Sequence, residues 1–191
     1  MKDDLRRYLQ VGRESLLWKL EGLSEYDVRR PLVASGTNLL GLVKHAAVTE
    51  AGYFGAVFGR PFPDPLPGAD GDDPTADMWA EADERTEGLV SLYRQVWAHS
   101  DATIAALGLD DTGSVPWWPE DRREATLHRI LVHVATETHR HAGHADIVRE
   151  MIDGARGLRR ESPNVPEEDE EWWLRHRRRV EDAARLAGSE A

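Results

Sequence analysis

Apolar residues recur at helical spacing in four long stretches of the chain, and breakers separate them. Leu5, Tyr8, Leu9, Leu16 and Leu20 trace the inner face of a first helix that ends near Gly22. A second runs from Asn38 to about Phe58, with Thr37 as its N-cap and Gly59, Arg60 and Pro61 as its stop. Residues 60–74 hold too much proline and glycine for anything but a loop. Asp73 before Pro74 has the form of an N-cap with proline at the first helical position. A third helix is expected to follow, its seam formed by Met78, Ala82, Leu89, Leu92, Val96, Thr103 and Leu107 and interrupted by Arg85 and His99. A fourth spans about Thr126 to Ile152, and Gly154 suits its left-handed C-terminal position. A last helix, from about Pro166 to Ala187, is expected outside the others, docked through Trp172, Trp173 and Val180. No strand pattern exceeds a few residues. The expected fold is all-α: a four-helix bundle over residues 1–160 and an additional C-terminal helix in an extension over 161–191.

A chain of 191 residues suffices for one domain with a real core. Its net charge of -11 argues against nucleic acid as a partner, since phosphate affinity needs clustered cations. The one basic run, Arg175 and Arg177 to Arg179, follows the acids at 167 to 171, the order a solvated helix favours. No run approaches the roughly eighteen apolar residues of a membrane span, and the charged N-terminus has no leader character. A cytoplasmic protein is the default expectation. With no cysteine, any metal must be held by nitrogen and oxygen, and any thiol chemistry needs a thiol from outside.

Glu137 and His141 stand four residues apart on one face of the fourth helix. At about 100° per residue, His133 and His144 share that third of the circumference, while His128 and His139 point away and read as surface histidines. In the second helix His45 is the one ionisable residue on a small, apolar stripe with Gly41, Leu42, Val48, Thr49, Gly52 and Ala56, which would let a facing helix approach closely. An inward carboxylate costs on the order of several kcal/mol unless paired. A cation would meet that need, and His45, Glu137 and His141 give the three-ligand layout of a catalytic metal site. Spacing admits a His–Glu ion pair equally well.

Three segments carry a resemblance: Ser-Gly-Thr-Asn-Leu-Leu-Gly-Leu-Val-Lys-His (35–45), Val-Pro-Trp-Trp (115–118), and the run from Glu137 through Gly154. They resemble the DinB/YfiT-like superfamily of metalloenzymes, in particular the subgroup similar to the metal-binding N-terminal domain of mycothiol-dependent maleylpyruvate isomerase. The resemblance implies a metal held at His45, Glu137 and His141. Many relatives have histidine at the position of Glu137, so the carboxylate follows the isomerase-like branch. The isomerase's separate C-terminal domain has no counterpart here, so its particular reaction does not carry over. Glu50 lies five residues after His45, turned about 140° away, and reads as a structural ion pair between helices. Asp146 also reads as structural. His144 is the candidate catalytic group, a substrate-facing imidazole able to move a proton.

The implied function is a divalent-metal-dependent transfer of a low-molecular-weight thiol, mycothiol, to a small electrophile, with zinc or nickel as the expected ion. Trp117 and Trp118 would form an apolar lip against the bound thiol, or simply cap the end of the bundle. A metal-dependent hydrolase and a non-catalytic, metal-stabilised binding module are the rivals. A homodimer is also expected, both from the superfamily's habit and from Tyr8, Trp18, Tyr93 and Trp97, which exceed what one core stripe needs.

Overall fold

In the computed structural model of the chain, which describes residues 1–69 and 73–189, the first apolar stripe folds as α1 (Lys2–Trp18). Its first turn carries Asp3 and Asp4, which favour the positive end of the helix dipole. A five-residue helix, α2 (Glu25–Arg29), follows. Periodicity does not reveal so short an element, but Ser24 caps it by accepting from the Asp27 amide at 3.1 Å.

α3 (Leu39–Phe54) is capped by Asn38 rather than Thr37: the Asn38 side-chain oxygen accepts from the Gly41 amide at 2.8 Å. It also ends before Phe58. The backbone turns at Gly55, where a Cβ would stand 2.3 Å from the Ala51 carbonyl oxygen, and a single 3₁₀ turn (Ala56–Phe58) runs on to Gly59 at φ 66. The loop expected over 60–74 is present, with 70–72 outside the described residues.

The third bundle helix begins much later than its sequence signal. Asp73 accepts from the Thr75 amide at 2.8 Å and from the Thr75 hydroxyl at 2.7 Å, which closes a turn and not a helix. Met78 and Ala82 therefore lie in a loop, and α4 starts only at Thr86, running to Ala106. Two three-residue strands, β1 (Thr112–Ser114) and β2 (Glu124–Thr126), pair antiparallel and pin the loop that carries Trp117 and Trp118. α5 (Leu127–Asp153) is capped by Thr126 and stopped by Gly154 at φ 79, as the sequence indicated. α6 (Glu170–Ser189) buries no residue. Trp173 lies under the Arg156 guanidinium at 4.6 Å, but Val180, expected to dock, is exposed. No helix among the described residues is long and apolar enough to cross a membrane.

The four long helices α1, α3, α4 and α5 make the bundle, an all-α DinB-like fold, with α1 packed on α5 and α3 packed on both α4 and α5. At its centre α1 is tied to α3 by charge. Arg13 is fully buried and donates through Nε to Glu50 at 3.1 Å and through its second terminal nitrogen to the other Glu50 oxygen. Its first terminal nitrogen donates to Asp101 of α4 at 3.0 Å. Lys19, also buried, meets Asp146 of α5 at 3.1 Å and the Gly157 carbonyl at 2.7 Å, which staples the segment after α5 across α1. Of the aromatics expected on a partner surface, Trp18 and Tyr93 are spent in the chain's own core and Trp97 packs on Tyr93 at 5.1 Å. Only Tyr8 stays exposed.

Removing one member of a buried ion pair strands the other. Arg13→Met should cost about 3–5 kcal/mol in urea denaturation, while Arg13→Met combined with Glu50→Leu should recover most of that loss.

Candidate metal centre and its cavity

α3 and α5 face each other at the level of His45 and His141, and their imidazole rings stand 4.9 Å apart between centroids, edge to face. His45 is partly buried. Its Nδ1 lies 2.7 Å from a carboxylate oxygen of Asp77, and its Nε2 has the Thr49 hydroxyl at 3.4 Å, too long for a strong hydrogen bond. His141 is buried, its Nε2 lies 3.5 Å from a Glu137 oxygen, and its Nδ1 has no hydrogen-bond partner. An orphaned buried nitrogen of this kind calls for an explanation.

Burial, and then the nearby His45, push the His141 pKa down to about 4, against the pull of Glu137. The imidazole is therefore neutral at pH 7, which weakens the His–Glu ion pair as an account of the site: Glu137 does not face an imidazolium. The guanidinium of Arg140 lies 3.9 Å away but is more than half exposed. Neutral imidazole is the form that ligates a metal. The donor set of two imidazoles and a carboxylate, one buried nitrogen left unpaired, fits a divalent ion with nitrogen and oxygen preference. Among the described residues no three His, Asp or Glu side chains stand as close as an ion requires. Closing around one takes side-chain rotation, for which Glu137, a third exposed, has room.

A largely apolar cavity of about 690 Å³ opens beside these groups, lined among others by His45, Thr49, Tyr53, Phe62, Trp117 and Glu137. Small residues on α3 admit loops as well as the facing α5. A Cβ at Gly41 would stand 1.8 Å from the Met78 carbonyl oxygen, and one at Gly52 would meet Trp117 at 3.4 Å, so loops fill the space. Trp117 and Trp118 both donate to the Tyr53 hydroxyl, at 3.1 and 2.9 Å. Trp117 lines the cavity, whereas Trp118 packs against His133 at 5.2 Å with the Arg129 guanidinium 4.6 Å above its ring.

His144 is exposed, 5.3 Å from the His141 ring, and does not line the cavity. His133 does line it, packed on Tyr53 at 4.7 Å, and burial lowers its pKa. His133 stands one turn before Glu137 and was visible in the spacing, although no role was attached to it. No local spacing marks Asp77 or Tyr53, whose partners lie far along the chain. His139 bonds the Tyr8 carbonyl at 2.9 Å, and His128 is exposed. Glu50 and Asp146 hold the structural pairs already described.

An all-α bundle of DinB-like architecture with two imidazoles and a carboxylate gathered between α3 and α5 defines a narrow class of helical protein. Residues 4–154 match the family model for mycothiol-S-transferase, and the chain belongs to that family. No curated protein sequence matched the chain.

The His141 shift has a signed consequence for the metal-free protein. The unfolded imidazole titrates at 6.5 and the folded one at about 4, so between these values the unfolded state binds a proton that the folded state does not. Stability is full above pH 6.5 and declines as the pH falls toward 4. Urea denaturation across that range should show the decline, and His141→Leu should flatten it. An NMR titration in which the His141 ring protonates near 6.5 would contradict the burial argument.

Proposed function

We propose that the protein transfers mycothiol, or a closely related low-molecular-weight thiol, to a small electrophile in a metal-dependent reaction. The observation that carries this reading is the pair His45 and Glu137 at the wall of a largely apolar cavity, with His141 packed directly behind them, in a chain of the mycothiol-S-transferase family that has no cysteine of its own. His45, Glu137 and His141 would hold the ion. When bound there, a divalent ion supplies Lewis acidity and lowers the pKa of a thiol beside it.

The remaining work falls to the chain. Thr49 and Tyr53 offer hydroxyls in the cavity wall and orient the bound molecules, while Phe62 and Trp117 keep bulk water from the reacting sulfur. In the transfer the S–H bond gives up its proton, sulfur forms a C–S bond to the electrophile, and the leaving group departs with its electron pair. The proton leaves the cavity by way of a bridging water to the His144 imidazole, which is exposed beside His141 and exchanges it with solvent. The neutral His133 ring holds the cavity wall against Tyr53.

Protein purified without a metal-affinity step should contain about one equivalent of divalent ion, zinc or nickel, allowing for partial loss. His45→Ala and His141→Ala should each lose it, and His128→Ala should not. If both ligand variants keep full metal content, the assignment is wrong. Consumption of mycothiol with chlorodinitrobenzene should be fast in metal-loaded protein and absent after chelation. Glu137→Gln should lower metal content and activity together, and His144→Ala should lower turnover by about 10²-fold or more with metal retained. Equal rates in loaded and chelated samples would refute metal dependence.

A further inference from the structure

Asp77 is the group nearest to His45 that the ligand set leaves without a task. It sits in the irregular stretch between α3 and α4, yet its place is fixed from both sides. On one side Ala76 packs against Gly68, where the backbone has φ 79 and a Cβ would stand 2.6 Å from the Ala76 carbonyl oxygen. On the other side the Met78 carbonyl lies against the bare Cα of Gly41 and accepts from the Asn38 side-chain Nδ2 at 3.4 Å. Lys44, one residue before His45 and buried, donates to the Trp79 carbonyl at 3.0 Å and to Glu84 at 2.9 Å. Arg29 of α2 donates to the Glu81 carbonyl at 2.7 Å and to that of Glu84. The first two turns of α3 thus clasp the loop and deliver one carboxylate to one ring nitrogen.

We propose that Asp77 is a positioning residue for His45: its carboxylate accepts from Nδ1–H, fixes the tautomer and the ring plane, and leaves Nε2 as the free donor toward His141 and the cavity. The inference rests on the reading of His45 as a metal ligand. The 2.7 Å contact is partly buried, with side chains 24% and 19% exposed, where such a bond is poorly screened. Imidazole ligands are commonly held in this way by a carboxylate on the opposite nitrogen, which raises the basicity of the ligating one. A contact that merely tied down the loop would be redundant with the Asn38, Lys44 and Arg29 bonds already present.

Zinc affinity measured by competition with a chromophoric chelator, on full-length protein stripped of metal, tests this. Asp77→Asn should weaken zinc binding by about 10–100-fold, and Asp77→Glu should restore part of it. In metal-free protein, nitrogen-15 NMR of the His45 ring should show the proton on Nδ1, and Asp77→Asn should move it toward Nε2. Gly41→Ala touches neither residue but displaces the Met78 backbone, and it should reproduce both effects. Asp77→Asn with unaltered zinc affinity and an unaltered His45 tautomer overturns the inference while leaving the metal reading in place. A wild-type protein that binds no zinc, in the same titration, overturns the metal reading and this inference with it.

Discussion

The bundle depends on a guanidinium that has no access to water. Arg13 must find its acceptors inside the protein, and besides Gln10 on its own helix the acceptors it finds are on α3 and α4. Hydrophobic contact would tolerate a small slide of one helix along another, because burial is not directional. A bidentate pair between Arg13 and Glu50 tolerates much less. Once Glu50 is fixed in depth and rotation, His45, five residues earlier on the same rigid helix, is fixed as well, on the face turned toward α5. The chemistry on one side of α3 is aligned by the ion pair on the other.

What the chain disclosed in advance was whatever depends on local spacing. Glu137 and His141 are neighbours because any helix makes them so, and His45 stood out because it interrupts a stripe of small residues. The ends of α5 were legible in Thr126 and Gly154, whose side chain and backbone freedom do the capping themselves. The start of α4 was not: Asp73 and Pro74 carry the signal of a helix, and the Thr75 hydroxyl diverts it into a turn. Asp77 was invisible for a different reason. Its partner lies 32 positions away, and their meeting depends on the path of a loop that follows from the absence of a side chain at Gly41. The strands β1 and β2 are too short for alternation to register. The aromatic residues that suggested a partner surface illustrate the limit of counting: Trp18 and Tyr93 lie in the bundle's own core, and only the packed structure shows it.

The site also shows how a protein without thiols can serve thiol chemistry. The chain supplies nitrogen and oxygen donors, a largely apolar cavity wall, and a narrow set of polar groups. It supplies no competing thiol. His141 is the clearest case, since the same burial that depresses its basicity keeps its lone pairs from being lost to protonation.

The Trp117 and Trp118 indoles share a single acceptor, the Tyr53 hydroxyl, and hang on a short ribbon rather than on a bundle helix. Groups that bind the reactive centre and groups that shape the opening therefore sit on different kinds of backbone, one rigid and one exchangeable. Substitutions or insertions at the tip of the ribbon can remould the entrance without disturbing the helices behind it, whereas the loop ahead of α4 is bound to His45 through Asp77. In this architecture the mouth of the cavity can vary among related chains while the side chains gathered between α3 and α5 keep their places.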